Sequence, residues 1–198
     1  MGDFLLDFRH PKQPFEQIEA LRFFPDTKMD RIVRDRFALY VTRNGSDQLW
    51  APFEAGDGVV VALAGRVALT ASEWQSASNL EGIGGLACKA IYQAYRQNGV
   101  AGLTGFSGGY AIHVYDPRTR TYHLVNDRGG SLPCYATTRS PEVLSSHPDV
   151  LAEAVAGNGY PPAGSAAAWD LASMAQFIAT ASAAFNVAVS GFGTSAFQ

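Results

Sequence analysis

Residues 108–116, Gly108-Gly109-Tyr110-Ala111-Ile112-His113-Val114-Tyr115-Asp116, decide the fold. Tyr110, Ile112 and Val114 alternate with Ala111, His113 and Tyr115, so both parities of the run are apolar and a strand covered on both faces is expected. Asp116-Pro117-Arg118-Thr119-Arg120 follows as a turn, with proline fixing φ near its start, and residues 121–126 return as a second β-rich run. The register this turn imposes sets Tyr115 opposite Tyr122 and Ile112 opposite Val125. It also sets His113 against Leu124 and His123 against Val114, on opposite faces. The two histidines are therefore read as packed strand residues and not as a convergent metal pair. Beyond the hairpin, Asp127-Arg128-Gly129-Gly130-Ser131-Leu132-Pro133-Cys134-Tyr135 places two glycines and a proline between hydrophobic segments, a loop feeding a further strand.

The hairpin also carries a family resemblance. Gly108-Gly109-Tyr110-Ala111-Ile112 through Tyr115-Asp116, followed without a gap by Asp127-Arg128-x-Gly130-x-x-Pro133-x-Tyr135, resembles the core hairpin of the glutaminase domain in asparagine synthetases. The resemblance covers most of residues 1–198, read as one glutaminase-like domain, and is closest over 105–135. It implies the N-terminal-nucleophile hydrolase fold, an α+β, four-layer αββα sandwich of two antiparallel sheets between helices.

Composition narrows the function classes. At 198 residues, 47% hydrophobic and 17% charged, the chain can fill one core and has no signature of disorder. A net charge of -3 gives no field for nucleic acid, and Arg31, Arg34 and Arg36 are offset by Asp30 and Asp35. Cys88 and Cys134 lack the paired spacing of a metal site or disulfide scaffold, which fits a reduced, cytoplasmic setting. Asp3 and Asp7 fall where a signal peptide is basic and then apolar, so secretion is not indicated. No charge follows Asp170, but Ser173, Gln176, Thr180, Ser182, Asn186 and Ser190 interrupt the tail. A buried helix over 169–181 and a closing strand are expected there, and no membrane span.

Along the chain, residues 4–8 read as a first strand, 10–35 as a charged connector holding one helix over 13–21, and 36–42 as the second strand, with Asn44-Gly45 as a turn. The apolar run 59–63 leads into Ala64-Gly65-Arg66-Val67. A helix starts over 70–75 with Ser72 as cap and Trp74 as anchor, and 79–85 is loop. Residues 86–98 form a helix with Ala87, Ile91, Ala94 and Tyr95 on one face and Gly99 suited to its left-handed C-terminal position. A short helix is expected over 148–156, and loop over 156–168.

The resemblance also locates a pocket and shows what is missing from it. In the family the opening strand begins with a catalytic cysteine whose own α-amino group is its base; here that position is Gly2, and no nearby Ser, Thr or Cys replaces it. Arg43 stands where the family grips the glutamine carboxylate, although by itself it reads as a solvent-facing strand-end arginine. Ala64-Gly65-Arg66-Val67 resembles the family's Asn-Gly-Glu-Ile element, with Gly65 kept for close backbone approach. Ala64 cannot donate to an oxyanion, a loss of roughly 3 to 4 kcal/mol of transition-state stabilisation. Arg66 reverses the charge that holds the substrate ammonium and is expected in a salt bridge or facing solvent. Ala87 takes the place of an aspartate that also binds the ammonium. The set Gly2, Arg43, Ala64, Gly65, Arg66 and Ala87 is thus a pocket without catalytic residues or metal ligands.

These readings describe a degenerate glutaminase-like domain, the N-terminal part of a longer two-domain ligase that forms amides with ATP. It is similar in this to β-lactam synthetases and lasso-peptide cyclases of peptide and natural-product biosynthesis. The resemblance implies no cofactor in this chain, with ATP and Mg confined to a synthetase domain of the same parent chain, which would be its partner. The apolar tail, with Phe185, Val187, Val189, Phe192 and Phe197, points to docking or homo-oligomerisation through the C-terminal segment. The alternative is a stand-alone ligand-binding or assembly module in which Arg43 and Arg66 hold a carboxylate. A hydrolase using Cys88 or Cys134 lacks a positioned base.

Overall fold

A computed structural model describes residues 2–9, 21, 26–44, 48–136, 142–148, 150–151 and 195–197. In chain order its elements are β1 (Phe4–Asp7), β2 (Thr27–Arg34), β3 (Phe37–Asn44), β4 (Phe53–Glu54), β5 (Val60–Ala68), α1 (Ala71–Ser78), α2 (Leu86–Asn98), α3 (Val100–Leu103), β6 (Ser107–Asp116), β7 (Thr121–Asn126), β8 (Tyr135–Ala136), β9 (Val143–Ser145) and β10 (Ser195–Phe197). A 3-10 turn, Gln48–Trp50, precedes β4. The fold is α+β, with two antiparallel sheets. One runs β2-β3-β1-β9-β8; the other runs β7-β6-β5-β4, with β10 added beside β7.

The hairpin β6–β7 forms in the expected register, Tyr115 opposite Tyr122, Ile112 opposite Val125, His113 opposite Leu124 and Val114 opposite His123. Strand β6 lies between β5 and β7, and Tyr110 through Val114 are buried on both faces. Its turn is shaped by Asp116, whose carboxylate accepts from the Arg118 backbone N–H at 2.9 Å and from the Arg118 guanidinium at 2.5 and 3.0 Å. Those bonds hold the Asp116 carboxyl down to about 2, against burial, which acts the other way.

Strand parity sorts the side chains into three apolar clusters. Phe4 and Leu6 of β1, Phe37, Leu39 and Val41 of β3, and Ala62, Ala64, Ala111, Tyr122 and Leu124 of the other sheet share one core. Phe37 packs edge-on against Tyr115 and Tyr122, with ring centroids 5.0 and 4.8 Å away, aromatic contacts worth about 0.5–1.5 kcal/mol each beyond their area. The opposite parity of β5, β6 and β7, with Leu63, Tyr110, Ile112, Val114 and Val125, packs against Ala87, Cys88 and Ile91 of α2. Tyr92 and Tyr95 fasten that helix to the turns of the sheet by donating to Asp57 and Asp116, each at 3.2 Å. The outer parity of β1 and β3, Leu5, Ala38 and Tyr40, packs with Leu21, Val143 and Val150.

Several expectations are corrected here. The connector over 10–35 contains the eight-residue strand β2, so the strand expected over 36–42 is the third and not the second. Alternation is present in β2 but masked by charge: Ile32 enters the core shared by the sheets, while Met29 and Val33 pack on the other side. The cap of α1 is Thr70 and not Ser72; Thr70 Oγ1 accepts from Glu73 N, and the Glu73 carboxylate accepts from Thr70 N at 2.6 Å. Helix α2 has the expected bounds and ends at Gly99 with φ 59°, but Lys89, expected away from the packed face, is buried, its Nζ donating to Leu80 O at 2.6 Å. Pro148, Val150 and Leu151 are helical. The expected helices over 13–21 and 169–181 and the loop over 156–168 lie outside the described residues, as does most of the tail offered for self-association. Among the described residues no helix is long and apolar enough to cross a membrane.

Asp127 organises the loop after β7. Its carboxylate accepts from Tyr110 N, Gly129 N, Ser131 N, Ser131 Oγ and Leu132 N at 3.0–3.4 Å. Burial acts to raise its pKa, but the bonds from Ser131, Tyr110 and Leu132 outweigh burial and hold it below the ordinary carboxylate value. Asp127→Ala strands several of these donors and is expected to lower the unfolding free energy by about 2–4 kcal/mol in urea melts. Because the folded pKa is depressed, the stabilisation is present above the unfolded-state value near 4 and is lost as pH falls through the folded one. A variant as stable as the parent at pH 7 would show that the loop does not depend on this carboxylate.

Candidate functional site

The site is built where β1 enters its sheet. Gly2 is buried against both sheets: a Cβ placed on it would lie 2.6 Å from Thr42 O, 2.9 Å from Gly65 N and 3.5 Å from Ala64 Cα. Asp3 continues the contact, its N–H donating to Thr42 Oγ1 and its carbonyl accepting from Thr42 N, both at 2.8 Å. Positions 2, 42 and 64–65 thus share one point, where the start of β1, paired with β3, meets β5.

Gly65 in β5 has φ +86°, and an added Cβ would lie 2.2 Å from Gly109 O. No side chain fits that approach, as the sequence predicts for this glycine. One residue on, Arg66 is exposed and its guanidinium lies 5.6 Å from the centre of the Trp50 ring. Trp50 in turn meets Trp74 edge-on at 6.1 Å. A solvent-facing Arg66 agrees with expectation, and the tryptophan face gives it a cation–π seat.

Arg43 does not face solvent. It is 7% exposed and makes a bidentate pair with Asp30 of β2, Nε to Oδ2 at 2.5 Å and Nη2 to Oδ1 at 3.3 Å. The correction follows from β2, which supplies a carboxylate on the neighbouring strand beside the strand end. Ala87 and Cys88 open α2 and are fully buried against Leu63 and Tyr110. The Cys88 thiol is pushed well above its usual range, chiefly by burial and then by the charge of Asp30, with Arg43 opposing. Burial likewise pushes Cys134 up to about 12. Neither cysteine is a thiolate at neutral pH, and a thiol in that state is a poor nucleophile.

Of the positions singled out in the sequence, Gly2, Ala64 and Gly65 meet at one point, Arg66 is exposed, and Ala87 packs in a different cluster from Ala64, against the outer face of the second sheet. Among the described residues, the surroundings of this point hold the Arg43–Asp30 ion pair and a glycine in a conformation that side chains rarely adopt. Two features were not foreseen. Asp30 is hidden in the charged alternation of β2. A second cluster joins Asp3 Oδ1 to His147 Nε2 at 2.7 Å and to Ser146 Oγ at 3.3 Å. The three residue types are those of a hydrolase triad, but here the aspartate sits between the other two, and Ser146 Oγ is held by Phe4 N at 2.9 Å. The cluster ties the start of β1 to the exit of β9. No local signal announces a pair 144 residues apart. Among the described residues no group of three His, Cys, Asp or Glu is placed to hold a metal ion. The sequence matches no protein-family model and no curated protein.

Proposed function

We propose that the chain is a glutaminase-like domain of the asparagine synthetase type that has lost its chemistry and serves an amide-forming, ATP-dependent ligase as a structural or docking module. One observation carries the reading: residues from three separate segments, Gly2, Thr42 and Ala64-Gly65, meet at one point, and Gly2 and Ala64, where the resemblance implies a thiol and an oxyanion donor, offer neither. The layering implied by the resemblance, sheets back to back between helices, is supported by the core that both sheets share and by α2 on the outer face of the second. ATP and Mg belong in this reading to a synthetase domain of the parent protein.

The carboxylate-clamp alternative is less well supported, since Arg43 is engaged by Asp30 and Arg66 lies over Trp50. The purified chain is expected to release no ammonia from glutamine. Release above the buffer background that disappears in Cys88→Ser or Cys134→Ser would overturn the reading. The ligase assignment is tested separately, by whether the reading frame that encodes this chain also encodes an ATP-binding domain.

A further inference from the structure

The face of β6 and β7 directed at the first sheet carries two buried polar atoms with no protein hydrogen-bond partner, His113 Nε2 and Asn126 Oδ1. The register puts them together. His113 pairs with Leu124 and Ala111 with Asn126, so the two residues are diagonal neighbours on one face. Such neighbours lie about 7–8 Å apart at Cα, and two hydrogen bonds of about 2.9 Å through one water span what remains once both side chains extend.

The other polar atoms of both side chains are already used. His113 Nδ1 is 2.9 Å from Tyr122 Oη, and Asn126 Nδ2 donates to Leu132 O at 3.5 Å. The surroundings supply room as well as polarity. Ala62 pairs with His113 and Ala64 with Ala111, so three alanines, all fully buried, stand beside the two polar groups. Facing sheets about 10 Å apart are usually filled by larger interdigitating side chains. Phe4 from β1 closes one side, its ring edge-on to His113 at 4.6 Å.

We propose that an ordered water molecule is bound between the sheets, accepting a hydrogen bond from His113 Nε2–H and donating one to Asn126 Oδ1. The chain of donors then runs one way, from Tyr122 O–H to His113 Nδ1, from His113 Nε2–H to the water, and from the water to the amide oxygen. Burial pushes the His113 imidazole down to about 3, so at neutral pH it has one proton to place, and in this arrangement Tyr122 donates to Nδ1 and the proton is on Nε2. The water sits behind Ala64, on the core side of the position that faces Gly2, and makes the small-residue wall of the pocket part of a hydrogen-bonded layer.

The test uses the intact chain labelled with ¹⁵N at pH 7. The expected result is a His113 ring in the Nε2–H tautomer, with cross-relaxation between its Hε2 and a water of nanosecond or longer residence. A high-resolution crystal structure should show that water within hydrogen-bond distance of both atoms. Either of two results overturns the proposal: a ring protonated at Nδ1 with no water cross peak, or an Asn126 amide rotated so that Nδ2 donates directly to His113 Nε2.

Discussion

Gly65→Ala is expected to lower the unfolding free energy by about 3–5 kcal/mol. Two penalties combine at this position. The backbone has φ +86°, where an L side chain is strained, and the new methyl would sit 2.2 Å from Gly109 O and 3.0 Å from Tyr110 Cα. Both neighbours are backbone of β6, so relief requires β5 and β6 to part in the middle of their ladder. Gly56→Ala is the control, because nothing lies within 4 Å of its added Cβ; it should stay within about 0.5 kcal/mol of the parent. Equal urea midpoints for the two variants would show that β5 and β6 do not approach as closely as this geometry requires.

The second large effect is at Gly2. Placing a thiol there, Gly2→Cys, is expected to destabilise the chain by about 2–3 kcal/mol without creating a glutaminase, because its Cβ would meet the Thr42 carbonyl and the Gly65 amide, both in paired strands. A thiol at this position has no space. The same reasoning extends to the combination Gly2→Cys, Ala64→Asn, Arg66→Glu and Ala87→Asp. It installs the side chains that the resemblance implies but not room for them, since Ala87 is fully buried in one cluster with Leu63 and Tyr110. Ammonia release assays and thermal melts on both variants decide the matter. A Gly2→Cys chain as stable as the parent, or thiol-dependent turnover by the combined variant, would show that this point has room for the side chains.

What could be read in the residues was local. The β6–β7 register follows from period-2 alternation on either side of a proline turn, and the bounds of α2 follow from a 3.6-residue apolar repeat closed by Gly99. The need for glycine at position 65 was legible through the resemblance. The Thr70-x-x-Glu73 cap is equally local, although Ser72 competes with it as a hydroxyl in the same turn. Strand β2 was not legible in the same way, because Lys28, Asp30, Arg31 and Arg34 obscure its alternation; only pairing with β3 makes it a strand.

The tertiary structure alone decided the character of the site. Arg43 is an arginine at a strand end in any reading of the chain, and it becomes a buried, paired one only because β2 brings Asp30 beside it. Asp3 meets His147, and Gly2 meets Thr42 and Gly65, because the sheet order β2-β3-β1-β9-β8 inserts the first strand between strands that follow it in the chain. Sequence specifies periodicity, turns and caps through interactions a few residues long. Which side chains share a buried point depends on contacts across 40 to 140 residues, whose loop-closure entropy is recovered only when the whole core forms.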